Sequence, residues 1–552
     1  MKQMRNSWRH IVFMAGVLSS VVCVMQAQAV DVKWLGGTAD GVTGKYHWST
    51  PANWQGGIVP GNDNFLNRPV FDSLGIANSN IWVDGSVTLP SMTFNATGYL
   101  LDGPGGLTIS GDSRALNLGV DVRTVIQCAF TNDSVLSSKN LQFQCASTNC
   151  VIELNGPCHF GFNVTYYTRG TLRLGGNSTN TAPGNAFYTS NHNGSNDSGI
   201  IELRKPDNTA AIPDAMSSEI GSATQVKWFA NEQLGNGKDL SVKNSSRCVL
   251  NGYTETIGNL SLSQSARVDL GGGRLIFSWM QVLGTGTDEL EKIISNGSVV
   301  MKGTSAVTWN IRRGGSFPEA DVTVDAALLP ETATSGFTKK QPGILRLLGT
   351  NGVLAGLSID AGTVYFSCTN GTSAPMGNIG LNPSSSVIAD NTNTVVGGFG
   401  MIGVGASGVK LNAGRTDGTI PFYRAIINPG EFKNGTLIVQ RPVELQRNAS
   451  VVLDLAKQGV SDFLKIENTF TFNATRNVDR RLEILAPTGL ARADYPLISY
   501  TSKSGEFDSV WYNGVQVANP VTDRIAGTHR LVVSATGYML KCLAQPTVIL
   551  FQ

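Results

Sequence analysis

The residues that most suggest chemistry lie in the stretch YHWSTPANWQGG, at positions 46–57. This stretch places Trp48 and Trp54 beside His47, in a chain with only 9 Trp and 5 His among 552 residues. Aromatic rings this close together can form a platform that stacks on sugars, and His47 with Asp63 can supply two ligands of a metal site. The same rings can instead close the end of a repetitive core. The remaining sequence has to distinguish these three interpretations.

Catalytic motifs are scarce in the rest of the chain. His159, His192 and His529 share no regular spacing, and Asp and Glu are scattered. Glycoside hydrolysis needs a pair of carboxylates, and a Ca²⁺ site needs a cluster of oxygen ligands. The sequence also lacks the G-x-S-x-G, H-E-x-x-H and P-loop motifs. We therefore predict a protein that is not an enzyme and has no cofactor or metal. A polysaccharide lyase or glycoside hydrolase stays open as an alternative, because carboxylates on neighbouring turns of a fold can converge without a sequence motif.

The first 29 residues have the pattern of a secretory signal peptide. A basic start precedes an apolar run, and Ala27 and Ala29 are the small residues expected before cleavage at Val30. The apolar run is shorter than the ~20 residues that span a membrane, which argues against an uncleaved anchor. We predict an exported protein that is secreted, extracellular or held at the cell surface.

The net charge of the exported chain is close to zero. Loss of Lys2, Arg5 and Arg9 with the signal peptide lowers the count of Lys and Arg from 42 to 39, against 40 Asp and Glu. Because no basic stripe remains, nucleic acid is not an expected partner. No second apolar stretch is long enough to cross a membrane, so we predict no transmembrane segment after signal removal.

Four cysteines lie close together in the sequence: Cys128, Cys145, Cys150 and Cys158. In an oxidising compartment they can form one or two disulfides. Buried free thiols within a β core are the alternative. Their spacing does not fit the usual zinc-binding pairs.

Composition and periodicity predict an all-β fold. Glycine accounts for 63 of 552 residues, charged residues for 15% and hydrophobic residues for 41%, which describes a turn-rich chain that can still build a core. Apolar residues alternate in short runs such as GTLRLGG (170–176) and ASVVLDLA (449–456), bounded by turn residues. Helical patterns are rare: residues 287–295 are the best candidate, and residues 214–221 are a weaker one.

A rough internal repeat indicates how the strands are arranged. Residues 89–111 and 256–278 both read as strand, small-residue turn, strand, Gly-rich turn, strand. Units of this size cannot bury their own apolar face and have to stack. We predict a right-handed parallel β-helix, a β-solenoid whose turns take about 20–25 residues each. The predicted parts are a signal peptide at 1–29, an N-terminal cap with the first strands at 30–88, solenoid repeats at 89–480, and C-terminal strands or a C-terminal cap at 481–552.

The segment 343–366 resembles the autotransporter-associated β-strand repeat of bacterial passenger-type β-helices, in which G-x-L-x-L-x-G-x-N is followed by G-T-L-x-V. The matching residues are Gly343, Leu345, Leu347, Gly349, Asn351, Gly356, Gly362, Thr363, Val364 and Phe366. Residues 170–178 are a partial copy. No segment shows the ~10-residue alternating strands of a C-terminal translocator barrel. The resemblance therefore implies the passenger fold and not the secretion mechanism.

The opening segment also resembles the start of proteins in this family, which is rich in Trp, Gly, Asn and Pro. A solenoid exposes apolar core and unpaired strand edges at its ends, so its first turn needs a cover. We therefore predict an N-terminal aromatic cap. Its predicted residues are Trp34, Tyr46, Trp48, Asn53, Trp54, Pro60 and Asp63.

The resemblance implies an exported, non-enzymatic β-helical repeat protein with a structural, adhesive or surface-display role. Its expected partners are extracellular matrix or polysaccharide. The alternative is a carbohydrate-binding or polysaccharide-degrading β-helix protein. A groove in which charged residues converge with aromatic rings would favour the alternative, whereas grooves that hold only ladders of Ser, Thr and Asn would favour the first role.

Overall fold

The computed structural model is built almost entirely of β-strands. It describes residues 30–61, 66–110, 115–132, 140–167, 169–183, 186–190, 198–283, 291–303, 307–314, 320–332, 336–349, 356–367, 372–373, 378–383, 393–403, 410–414, 423–430, 434–456, 460–473, 479–488 and 490–543.

The strands form three sheets, named here in order of size. The first sheet contains Val30–Lys33, Asn67–Phe71, Ser91–Phe94, Ala115–Leu118, Leu141–Cys145, Val164–Tyr167, Ala186–Ser190, Ser217–Ile220, Leu240–Val242, Asn259–Leu262, Trp279–Val282, Val307–Ile311, Phe337–Lys340, Leu357–Ile359, Thr372–Ser373, Ile379–Leu381, Met401–Ile402, Leu411–Ala413, Thr436–Val439, Val443–Leu445, Phe463–Phe472, Tyr495–Ser504, His529–Val533 and Gly537–Cys542. The second sheet contains Tyr46–His47, Asn80–Trp82, Tyr99–Asp102, Arg123–Ile126, Val151–Leu154, Thr171–Leu174, Ile200–Leu203, Gln225–Trp228, Arg247–Val249, Thr254–Thr256, Arg267–Asp269, Arg274–Phe277, Lys292–Met301, Val322–Pro330, Ile344–Leu347, Gly362–Phe366, Thr394–Gly398, Ala425–Pro429, Ala449–Asp454, Arg481–Leu485, Ser509–Tyr512 and Val515–Val517. The third sheet contains Ser86–Leu89, Gly106–Ile109, Ala129–Asn132 and Cys158–Phe160. Three short 3₁₀-helices lie at Pro51–Asn53, Gln55–Gly57 and Ser73–Asn78.

Successive turns of the chain add parallel strands to the same sheets. In the second sheet, Thr171–Leu174 pairs in parallel with Val151–Leu154 on one side and with Ile200–Leu203 on the other. Parallel strands that stack in this way without intervening helices form a parallel β-helix. The structure thus confirms the predicted solenoid architecture.

Alternation along each strand sends every second side chain into the interior of the coil. Leu172 is fully buried between its register partners Ile152 and Ile201. Because neighbouring strands lie ~4.8 Å apart, each apolar side chain covers the one in the next coil. Burial of this kind contributes about 25 cal/mol per Å² of apolar surface. The core is therefore a continuous stack of residues from successive coils.

The pairing pattern changes near the C-terminal end of the described chain. Ser509–Tyr512 still pairs in parallel with Arg481–Leu485, so the solenoid pattern continues past residue 480. Beyond it, Val515–Val517 pairs antiparallel with Ser509–Tyr512. In the first sheet, Gly537–Cys542 likewise pairs antiparallel with Tyr495–Ser504. Two hairpin-type pairings therefore terminate the stack of parallel strands.

Both helix predictions are wrong where the structure describes the segments. Residues 284–290 lie outside the described chain, but Lys292–Met301 is a strand that pairs with Arg267–Asp269. Ser217–Ile220 is a strand as well. Pairing with strands of neighbouring coils overrides the local helical pattern in both places. Among the described residues, no helix has the length and apolar character needed to cross a membrane.

Candidate binding surface on the second sheet

The three tryptophans near the start of the described chain pack against one another inside the first coil. Trp34, Trp48 and Trp54 are each at most 1% exposed. The ring centroid of Trp54 lies 4.9 Å from that of Trp34 and 4.8 Å from that of Trp48, in edge-to-face arrangements. Such arrangements suit the charge distribution of aromatic rings. Because the rings are buried, they offer no platform on which a sugar can stack.

Each indole nitrogen of this aromatic cluster donates to a backbone carbonyl. Trp34 Nε1 donates to Asn78 O at 3.1 Å, Trp48 Nε1 donates to Pro60 O at 2.9 Å, and Trp54 Nε1 donates to Trp48 O at 2.7 Å. Buried polar groups need such partners. The cluster is therefore a fully satisfied packing unit.

The neighbouring predicted cap residues support the cluster. Asn53 is fully buried, its Nδ2 donates to His47 O at 3.0 Å, and its Oδ1 accepts from Thr38 N at 2.7 Å. Tyr46 is partly buried against the core. The predictions for Asp63, Ala27 and Ala29 lie outside the described residues. Asn53 therefore links the backbone at Thr38 and His47 from a buried position.

His47 lies between two aspartates. Its Nδ1 is 3.2 Å from Asp84 Oδ2, and its Nε2 is 3.6 Å from Asp40 Oδ2. Ser49 donates its hydroxyl hydrogen to Asp84, so His47 does not activate this serine as a nucleophile. Within the described part of the chain, no group of three His, Cys, Asp or Glu residues is placed to hold a metal ion.

The four clustered cysteines are free thiols in the structure. Cys128, Cys145, Cys150 and Cys158 are all buried. Burial raises the pKa of Cys128 and of Cys158 to about 12. The alternative interpretation, buried thiols that line the β core, describes these residues.

The outer face of the first sheet carries long stretches of uncharged polar side chains. Ser241, Ser261 and Gln281 follow one another in register. Thr338 and Ser358 form a similar pair further along the sheet. Side chains of this kind hydrogen-bond water readily and offer no strong charge to a ligand.

Ion pairs between successive coils occur on the first sheet too, as between Asp31 and Arg68, but on the outer face of the second sheet charged side chains form a longer network. We call Arg123, Glu153, Arg173, Glu202 and Arg204 the charged ladder. Glu153 Oε2 lies 3.4 Å from both Arg123 Nη2 and Arg173 Nη1. Glu202 Oε2 accepts from Arg173 Nε at 2.7 Å and from Arg204 Nε at 2.8 Å. Glu153, Arg173 and Glu202 are therefore register partners on three successive coils.

Hydrogen bonds keep Glu153 of the ladder ionised. Partial burial of Glu153 opposes ionisation, but hydrogen bonds from Asn155 and Arg173 outweigh it and lower the pKa of Glu153 below its usual value. The Asn155 bond, from Nδ2 to Glu153 Oε1, is 2.8 Å long. The outer face thus presents fixed positive and negative charges side by side.

An aromatic ring lies at one end of the ladder. The guanidinium carbon of Arg204 lies 4.2 Å from the centroid of the Phe229 ring, within the distance of a cation–π contact. Phe229 is 37% exposed, unlike the tryptophans of the N-terminal cluster. Charged and aromatic side chains therefore converge on this outer face.

A cavity of about 300 Å³ lies at the other end of the ladder. Strands that begin at Tyr99, Arg123 and Val151 position its walls. Its lining residues are Thr97, Gly98, Tyr99, Leu100, Arg123, Val125, Gln127, Glu153 and Asn155. The cavity thus combines two charged groups, two side-chain amides and an aliphatic surface, a composition typical of small-molecule sites.

Sequence reasoning missed the charged ladder, although a signal was present. The segments VIELNG (151–156), TLRLGG (171–176) and IIELRK (200–205) each place one charged residue between two buried apolar residues. In a strand, that central position points away from the core. Recognising this shared pattern would have placed three charges on one outer face.

The fold and this surface define a parallel β-helix with a charged outer face and a cavity beside it. No protein-family model matches the chain, and no curated protein matches it either.

Proposed function

We propose that this protein is an exported β-helical rod with a structural, adhesive or surface-display role and no catalytic activity. The observation that carries the proposal is the unbroken strand pairing of the first sheet, from Val30–Lys33 to Tyr495–Ser504. At ~4.8 Å per strand, these coils extend on the order of 90 Å. A stack of this length presents a large repetitive surface, with loops of varying length along its sides.

Two sequence features support export and kinship with autotransporter passengers. The first is the signal-peptide pattern of residues 1–29. The second is the repeat-like segment 343–366, whose strands Ile344–Leu347 and Gly362–Phe366 pair in parallel as stacked repeats do. Export would place the stack where an adhesive or display role is useful.

Cell fractionation with an antibody against the chain tests this proposal. We expect the protein in the medium or at the cell surface, with Val30 as its first residue by N-terminal sequencing. An uncleaved chain that stays in the cytoplasm would overturn the proposal. Adhesion is then measured as binding of the purified protein to immobilised matrix proteins and polysaccharides.

Carbohydrate binding is the second candidate, and the second sheet favours it. The charged ladder, the exposed ring of Phe229 and the cavity lie on one outer face. A protein that degrades polysaccharides generates new products, whereas a protein that only binds them does not. Incubation with polysaccharides should release no new reducing ends if the surface only binds sugars.

A further inference from the structure

We propose that the cavity of about 300 Å³ beside the charged ladder is a saccharide subsite, which takes one or two sugar units of a neutral glycan. This inference rests on the second candidate function and names its site and ligand class. The volume lies at the lower end of the range that small-molecule pockets span. Its polar groups keep hydrogen-bonding capacity for a ligand, and an aliphatic surface lies between them.

Arg123 keeps most of its hydrogen-bonding capacity for a ligand. Its side chain is 57% exposed, and its contact with Glu153, at 3.4 Å, is long. A guanidinium has five N–H donors in a planar fork. Arg123 can therefore donate to ligand oxygen atoms without losing a tight ion pair.

Glu153 supplies acceptors next to these donors. Its carboxylate is held by Asn155 at 2.8 Å and approached by Arg173 at 3.4 Å, so its position is fixed. An ionised carboxylate has about four acceptor sites, which leaves capacity for a ligand hydroxyl. A hydroxyl group both donates and accepts, so it can bridge Arg123 and Glu153 at once.

The pairing of opposite charges also discriminates between ligand classes. A simple anion would meet the negative charge of Glu153, and a simple cation would meet Arg123 and Arg173. A neutral ligand rich in hydroxyl groups avoids both repulsions. The amides of Gln127 and Asn155 add donors and acceptors of the same kind.

The aliphatic side chains in the cavity suit the other surface of a sugar. Leu100 and Val125 are register partners on neighbouring strands, and both are partly exposed in the cavity wall. A sugar ring carries C–H groups on its faces and hydroxyl groups around its edge. Apolar contact with Leu100 and Val125 would let the hydroxyl groups reach the polar rim.

A glycan array with neutral and acidic oligosaccharides tests the proposal on the full exported chain. We expect neutral glycans to bind. By titration calorimetry with the best-binding array glycan, Arg123→Gln and the cavity-filling Val125→Trp should each weaken affinity at least tenfold. Arg68→Gln removes the same charge from an ion pair on the first sheet, outside the charged ladder, and should change affinity less than twofold. Circular dichroism checks that all three variants fold.

Three results would overturn the subsite. They are an array without binding, a Val125→Trp variant that folds and binds like the wild type, and binding of acidic glycans alone that falls equally in Arg123→Gln and Arg68→Gln. The last result would indicate general ionic attraction. The rod function is contradicted by a different result, a cytoplasmic location in the fractionation experiment. Failure of the subsite and failure of the rod function are therefore distinguishable.

Discussion

Glu255 accepts a hydrogen bond of 2.6 Å from the indole nitrogen of Trp228, and both side chains are fully buried. The same carboxylate oxygen accepts from the backbone N–H of Gln233 at 2.8 Å and of Leu234 at 3.2 Å. One buried acid therefore satisfies three donors of the preceding coil. It ties the turn that follows Gln225–Trp228 to the next layer of the stack.

This relationship predicts that stability depends on pH. Burial raises the pKa of Glu255 from 4.5 to about 8, despite the three donors. The folded state then binds a proton that the unfolded state releases above pH 4.5, so stability falls as pH rises toward 8. Glu255→Gln can keep the three bonds to one oxygen and removes this titration. Between pH 5 and pH 8, the melting temperature of the wild type should therefore fall by about 2 °C more than that of Glu255→Gln.

Thermal unfolding followed by circular dichroism at these two pH values measures the difference. Asp325→Asn, at an exposed position in the second sheet, is the control and should reproduce the wild-type profile. Parallel profiles for Glu255→Gln and the wild type would contradict the prediction.

The N-terminal aromatic cluster should be essential for stability. Trp54→Ala removes a ring that contacts both Trp34 and Trp48, and loss of a buried Trp side chain costs about 3–5 kcal/mol. We expect a lower melting temperature and aggregation in size-exclusion chromatography. Trp279→Ala, at a half-buried outward position of the first sheet, should cost much less. A Trp54→Ala variant as stable as Trp279→Ala would argue against a structural cap.

Two glycines with similar backbone conformations should respond differently to substitution. Gly176 and Gly237 have φ of +72° and +82°, so an alanine at either position costs about 1–2 kcal/mol in the left-handed region. A Cβ at Gly176 would also lie 1.7 Å from Asn155 O, whereas a Cβ at Gly237 meets nothing within 4 Å. Gly176→Ala should therefore lower the urea midpoint of unfolding clearly more than Gly237→Ala. Equal midpoints for the two variants would refute the close approach of Gly176 to Asn155.

Buried thiols should resist modification in the folded protein. Burial raises the pKa of Cys128 and Cys158 to about 12 and also raises that of Cys248, so little thiolate forms at pH 8. Cys542 is only partly buried. Iodoacetamide labelling read by peptide mass spectrometry should modify Cys542 at least tenfold faster than these three. Labelling in urea, which exposes all four, supplies the control, and fast native labelling of Cys128 would disprove their burial.

Local patterns predicted the strands well where alternation was regular. Leu172 and Leu174 read as one face of a strand, and both are fully buried in the structure. The segment 287–295 misled the same reasoning, because its acidic start and paired isoleucines resemble a helix. Ile294 instead faces the core from a strand, since the neighbouring coil offers a pairing edge there. A local window of sequence does not show whether a neighbouring coil offers such a pairing edge.

The sequence by itself determined the kind of fold. Alternating apolar residues and frequent glycines specify short strands joined by turns, and such units bury their apolar face only by stacking. Only the tertiary structure decided which outward residues meet. Glu153 and Arg173 are 20 residues apart in sequence, and Arg173 and Glu202 are 29 apart. The parallel register places them on successive strands, while loops of unequal length absorb the difference. The local alternation marks these residues as outward-facing, but spacing along the chain does not show that they meet in a ladder beside a cavity.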